Sequence, residues 1–161
     1  MTTTGKATVA ATVRRQWEHF KGSREGRLEF SRMIGQLAPY SGTIQAEVVE
    51  LERGFAKVQL EDRREVRNHL NSIHALAVSN LAELTSGLAM LYGAPENART
   101  IITGLSVDFV KKARGLLTAE CSCETPETNQ RREYQFDVTV RDATREPVAQ
   151  VTVRWLVGPE Q

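Results

Sequence analysis

Between Ser72 and Leu91 the chain carries a single acidic side chain, Glu83, set in Leu81-Ala82-Glu83-Leu84, and no Lys or Arg. A carboxylate taken out of water without a partner is costly, and such surroundings raise its pKa. The alternative is a Glu that reaches solvent from a helix face or caps a backbone donor. Nine residues earlier stands His74, in Asn71-Ser72-Ile73-His74-Ala75. Asn71 or Ser72 is placed to cap a helix, which puts His74 in its first turn. Backbone N–H groups there lack intrahelical acceptors and carry the positive end of the helix dipole. Such donors can hold a developing oxyanion, while Asn71 or Glu83 orients or activates a water. Taken singly, Asn71 reads first as a cap and His74 as a histidine satisfied at the helix start.

The spacing decides where these groups can meet. Nine residues of ideal helix span two and a half turns, about 13.5 Å of rise, and end on opposite faces. Within one chain Glu83 and His74 therefore stay apart. Across a two-fold axis Glu83 of one subunit can face Asn71 and His74 of the other, because an isologous interface brings reciprocal patches together. A site built on these residues lies between subunits.

The elements that must position them follow from periodicity. Val9, Val13, Trp17 and Phe20 form a helical stripe from about Ala7 to Phe20, after a frayed stretch at residues 1–6. Lys21-Gly22-Ser23 breaks it, and Phe30, Met33, Ile34 and Leu37 mark a second helix stopped before Pro39. The period then changes to two. Ile44, Ala46 and Val48 alternate with polar residues, and Glu52-Arg53-Gly54 turns into a second strand, Phe55 to Leu60. A charged loop, Glu61 to Arg67, leads to the apolar helix, which Gly93 and Pro95 end. Four more strands alternate around Leu105–Phe109, Leu117–Cys123, Tyr134–Val140 and Val151–Val157. Clean alternation predicts an antiparallel sheet with one buried face. The helix over 72–91 is apolar nearly all round, so the sheet must curve about it, with a second subunit covering what remains. The expected organisation is an α+β domain over 41–161 with an N-terminal helical extension, 1–40, packed on it.

Composition agrees with a soluble globular chain: 161 residues, 40 % hydrophobic and 25 % charged. Its 21 basic and 20 acidic residues leave a net charge of +1, so there is no broad basic field for nucleic acid. His74, Ser79, Asn80, Glu83, Thr85 and Ser86 make a lipid-spanning helix over 72–91 expensive, which argues against a membrane partner. Cys121 and Cys123 are too few for a disulfide framework, and no apolar run near Met1 has signal-peptide length; a reducing, cytoplasmic setting is the default expectation. The two cysteines face the same side of one strand, and no His pair completes a metal site with them. No glycine-rich nucleotide loop is present, and no cofactor is expected.

Asn71-Ser72-Ile73-His74-Ala75-Leu76 followed by Leu81-Ala82-Glu83-Leu84 resembles the core motif of hotdog-fold thioesterases of the phenylacetyl-CoA and 4-hydroxybenzoyl-CoA type. In that family an Asn-containing loop and His-Gly-Gly open the central helix, and a catalytic Asp or Glu follows nine residues after the His. Ser106 to Gly115 resembles the family's strand after the helix with its basic turn, and the order of elements matches from about Gly42 to Val157. The resemblance implies a hotdog fold that acts on an acyl-CoA or acyl-carrier-protein thioester, as a homodimer or dimer of dimers. It gives Glu83 the role of general base or nucleophile, and the Ala75 amide, with Asn71 and His74, that of polarising the carbonyl. Lys111, Lys112, Arg114 and Arg99 become candidates for the phosphates of CoA, or equally a solvated strand end. Two positions depart from the pattern. Ala75-Leu76 stands in place of Gly-Gly, and Gly87 occupies the place where a Ser or Thr often follows the acid by four. A non-catalytic acyl-binding or assembly module is the alternative, and an enoyl-CoA hydratase or dehydratase a further one.

Overall fold

A computed structural model describes residues 7–159; the fraying expected at residues 1–6 lies outside that range. Helix α1 (Val9–Phe20) is capped by Thr8, whose hydroxyl accepts from the Ala11 amide, and α2 (Arg24–Leu37) by Ser23, which accepts from Gly26. The buried face of α1 is Ala10, Val13 and Trp17; Val9, expected on that face, is exposed. On α2 the expected Leu37 is likewise exposed, and burial falls on Phe30 and Ile34. Trp17 and Phe30 meet edge to face with ring centroids 5.0 Å apart, an arrangement worth about 0.5–1.5 kcal/mol beyond the area it buries. Both helices share one apolar core with the rest of the chain.

A four-residue helix, α3 (Pro39–Gly42), follows where the sequence suggests only a stop. Strand β1 (Glu47–Glu52) begins later than the alternation from Ile44 implies, because Gln45 adopts a left-handed backbone conformation, φ 50°, that no strand continues through. Strand β2 (Phe55–Leu60) pairs with it across the Gly54 turn, where φ is 75°. The central helix α4 (Ala75–Gly93) starts three residues later than expected. Strands β3 (Ala98–Phe109), β4 (Leu117–Ser122), β5 (Arg132–Arg141) and β6 (Pro147–Pro159) complete one antiparallel sheet in the order β1-β2-β4-β5-β6-β3.

All six strands touch α4, so the sheet curves about it as the apolar circumference of that helix requires. Leu60, Val58, Leu117, Ala119, Val138, Val140 and Val153 point inward and are fully buried. Strand β3 is the exception to the one-buried-face pattern. It is an edge strand paired only with β6, and Leu105 and Phe109, expected inside, are 44 % and 52 % exposed. Arg14 of α1 donates to the carbonyl of Ala94, which caps the C-terminus of α4, at 2.8 Å, and Tyr92 near that terminus donates to Glu18. These contacts fix the N-terminal helix to the far end of α4, away from the Asn71–His74 segment.

Candidate functional site at the start and middle of the central helix

The loop into α4 is held as a compact turn. Asn68 Oδ1 accepts from the amides of Leu70 (2.9 Å) and Ser72 (3.2 Å), and Asn68 N–H donates to the Ser72 carbonyl at 2.8 Å. Asn71 sits at its apex with φ 54°, a conformation that Asn tolerates better than most residues. Asn71 is exposed and is not the cap, and neither is Ser72. The cap is His74 itself, whose Nδ1 accepts from the Leu76 amide at 3.0 Å. With Nδ1 as the acceptor, Nε2 is left as the ring's donor position. His74 N–H donates to Val66 and Ile73 N–H to Ala113, both at 2.7 Å, which ties the helix start to its neighbours.

The first helical amide behaves differently from the second. Leu76 N–H is engaged by His74, while Ala75 N–H has no acceptor among the described residues. One free donor therefore marks the positive end of α4. Leu76, in the place of the second Gly of the resembled motif, is 62 % exposed. Beside this terminus lies a cavity of about 380 Å³ lined by Asn68, Ser72, Ala75, Val78, Phe109 and Lys112, among others. Ser72, which sequence reasoning treated only as a possible cap, is buried, and its hydroxyl has no hydrogen-bond partner among the described residues. No sequence signal distinguished it from the other hydroxyls of the stretch. Those others are satisfied by the helix: Ser79 donates to Ala75 at 2.8 Å and Thr85 to Leu81 at 2.6 Å.

Glu83 lies in the middle of α4, half-buried, with no side-chain hydrogen bond or ion pair among the described residues. Burial raises its pKa above the ordinary carboxylate value. Its backbone carbonyl accepts from Ser86 Oγ at 2.9 Å, and that hydroxyl accepts in turn from the Trp155 indole N–H at 3.1 Å. Along one helix the structure keeps Glu83 and His74 apart, about 13.5 Å in rise, as the spacing requires.

The four basic candidates are dispersed. Lys111 is held by two carboxylates, Asp142 at 2.7 Å and Glu146 in closer contact, so its charge is already neutralised. Lys112 is exposed, without an ion pair among the described residues, and lines the cavity. Arg114 donates to the Leu70 carbonyl at 3.2 Å. Arg99 is exposed at the opposite end of β3, ten residues from Phe109, which is about 33 Å of strand. Within one chain Arg99 does not join the others. Cys121 and Cys123 are free thiols, and among the described residues no group of three His, Cys, Asp or Glu side chains is gathered as a metal site would need.

Over residues 26–157 the chain matches the family described as "Domain of unknown function (DUF4442)". No curated protein matches it. Among solved structures, a structural-genomics protein of 29 % identity superimposes with a TM-score of 0.80, covering 93 % of this chain and 100 % of that one. A Pseudomonas aeruginosa protein of unknown function, named "Probable Thioesterase", is 20 % identical with a TM-score of 0.71, covering 86 % of this chain and 97 % of its own. A Haemophilus influenzae thioesterase is 13 % identical with a TM-score of 0.67, covering 78 % and 88 %. The fold is that of the hotdog proteins, an antiparallel sheet curved around one central helix.

Proposed function

The chain belongs to the DUF4442 family, and on the arrangement along α4 we propose that it hydrolyses an acyl thioester, of CoA or of an acyl carrier protein, at a site shared between two subunits. The observation that carries this reading is Glu83: an unpaired, half-buried carboxyl with a raised pKa, nine residues along the chain from the capping His74 and eight from the free amide at Ala75. Glu83 of one subunit faces Asn71, His74 and Ala75 of its partner. The exposed apolar edge of β3 supports a second copy there, since Ile101, Ile102, Leu105 and Phe109 leave hydrocarbon in water.

In the reaction Glu83 removes a proton from water as the water oxygen bonds to the thioester carbonyl carbon. The carbonyl oxygen becomes an oxyanion, held by Ala75 N–H and the positive end of α4. The C–S bond then breaks, the thiolate leaves with the proton returned by Glu83, and the acid is released. Serving instead as nucleophile, Glu83 bonds to the carbonyl carbon and the C–S bond breaks, leaving a mixed anhydride and the thiolate; water then opens the anhydride to the acid and the free Glu83 carboxylate, its released proton completing the thiol. Lys112, free and beside the cavity, is the residue best placed for a phosphate of the leaving arm.

Thioester hydrolysis by the wild type, lost in Glu83→Gln with the fold intact, is the result this reading expects from a panel of acyl-CoA and aryl-CoA substrates. Turnover that Glu83→Gln leaves untouched would overturn it. A second reading, an acyl-binding module without catalysis, is favoured by one observation: the Leu76 amide, the second donor of the helix start, is occupied by His74. Thermal stabilisation by an acyl-CoA without any turnover would select it.

A further inference from the structure

Between α2, α3 and β1 runs a groove of about 870 Å³ that the chemistry above does not use. Its size is within the range of small-ligand sites, roughly 300–1,000 Å³. Leu28 and Ile34 of α2, Pro39 of α3, and Ala46 and Val48 of the β1 arm give it most of its surface, interleaved with uncharged polar side chains such as Gln36, Thr43 and Gln45. The only residue that α4 contributes is Leu84, the residue next to Glu83. Leu84 follows Glu83 in sequence and projects about 100° round the helix from it, so the turn of α4 that carries the carboxyl also forms one flank of the groove.

We propose that this groove holds the hydrocarbon chain of the acyl group, so that the N-terminal helices set chain-length preference. The proposal rests on the thioester-hydrolase reading of Glu83. Charge argues for a hydrocarbon occupant over a charged one. Of the two charged residues in the lining, Arg32 is paired with Glu29, and Glu47 with Arg24 at 3.7 Å, so neither is left as a counter-charge for a ligand. The wall is also held in place. A Cβ at Gly42 would stand 2.6 Å from the Gly35 carbonyl oxygen, so α2 and α3 close on each other only because both positions are glycine. Asn80 of α4 donates to the Tyr40 carbonyl at 3.4 Å, which ties α3 to the helix that bears Glu83.

The test is a series of straight-chain acyl-CoA substrates from acetyl to palmitoyl, paired with the matching non-hydrolysable alkyl-CoA thioethers for binding. In the wild type kcat/KM rises about fourfold per added methylene until the groove is filled, from about 0.8 kcal/mol per buried CH₂. The thioether Kd tightens in parallel. Ala46→Phe, which blocks the groove, lowers the ratio of long-chain to short-chain kcat/KM by about tenfold or more. Leu28→Ser, a second variant read by the same ratio, guards against misfolding of the first. Chain-independent affinity in the wild type, or a chain-length profile that both folded variants leave unchanged, overturns the proposal. Chain-length-dependent thioether binding that Ala46→Phe abolishes, with no turnover of any thioester, removes the hydrolase reading and keeps the groove as an acyl site.

Discussion

The indole of Trp155 lies against Gly87: its Cζ2 and Cη2 atoms are 3.2 and 3.4 Å from where a Cβ at that position would stand. Gly87 is four residues after Glu83, the place where the resembled thioesterases often carry a hydroxyl. Here an aromatic side chain from β6 fills that space. The neighbouring hydroxyl, Ser86, is committed to the indole N–H and to the Glu83 carbonyl.

Gly87→Ser is accordingly expected to destabilise the protein. Overpacking costs about 1–3 kcal/mol, and the gain in helix propensity over glycine returns less than about 1. A net loss near 1 kcal/mol lowers Tm by about 2–4 °C at this chain length. The loss should disappear in a Trp155→Phe background, measured as a double-mutant cycle. An equal loss in both backgrounds would show that the ring is not the obstacle.

Glu83→Gln should separate activity from stability. Loss of a general base costs about 10²–10⁴ in kcat. Stability moves the other way at neutral pH. The folded-state pKa of Glu83 lies above its ordinary value of 4.5, so the fold favours the neutral carboxyl. That contribution is full below the unfolded pKa and is lost as pH rises through the folded one. The variant removes this penalty and should melt higher than wild type at pH 7 but not at pH 4, by calorimetry.

The same shift positions the acid limb of the pH–rate profile. With Glu83 as the proposed general base, kcat/KM should rise with pH through a midpoint above 4.5, the ordinary carboxylate value. A midpoint at or below that value would mean that another group, or a Glu83 in water, limits the rate.

Lys111 and Lys112 are adjacent, yet their replacement should have different effects. Lys112→Ala is expected to raise KM for CoA thioesters about three- to tenfold, with little change for pantetheine thioesters that lack the nucleotide. Lys111→Ala should leave KM unchanged, because its ammonium is already bound by Asp142 and Glu146. Steady-state kinetics on the two substrates distinguish them.

Trp17→Ala tests whether the N-terminal helices are integral to the core. Trp17 is 4 % exposed against Phe30, and truncating a buried aromatic costs about 3–5 kcal/mol. Denaturant unfolding should show one transition displaced by that amount. A separate early transition would mean that the helices unfold on their own.

Much of this architecture can be read from residue patterns, and the exceptions have physical causes. Strand β2 begins and ends at Phe55 and Leu60 as its alternation predicts, because it is covered on one face along its whole length. Strand β3 extends seven residues further back than its alternation begins at Leu105. As an edge strand it leaves apolar groups such as Ile101 and Ile102 exposed, and the period-two signal is lost. The start of α4 is hidden in the sequence because Asn71 and Ser72 are better capping types than histidine, while the turn anchored by Asn68 places His74 at the cap instead. Glu83 was legible as the only acid in an uncharged stretch. That Lys111 is neutralised was not, since its partners lie 31 and 35 residues away.

Strand β3 also bears on how the protein must be made. The single folded chain presents β3 as a twelve-residue sheet edge with several bare aliphatic side chains. Such an edge is a template for adding further strands, and its charged residues, Arg99 and Asp108, stand near its two ends, leaving the aliphatic middle unguarded. Wherever that edge stays uncovered, the yield of overexpressed protein should be limited by strand-to-strand aggregation rather than by the stability of the single fold.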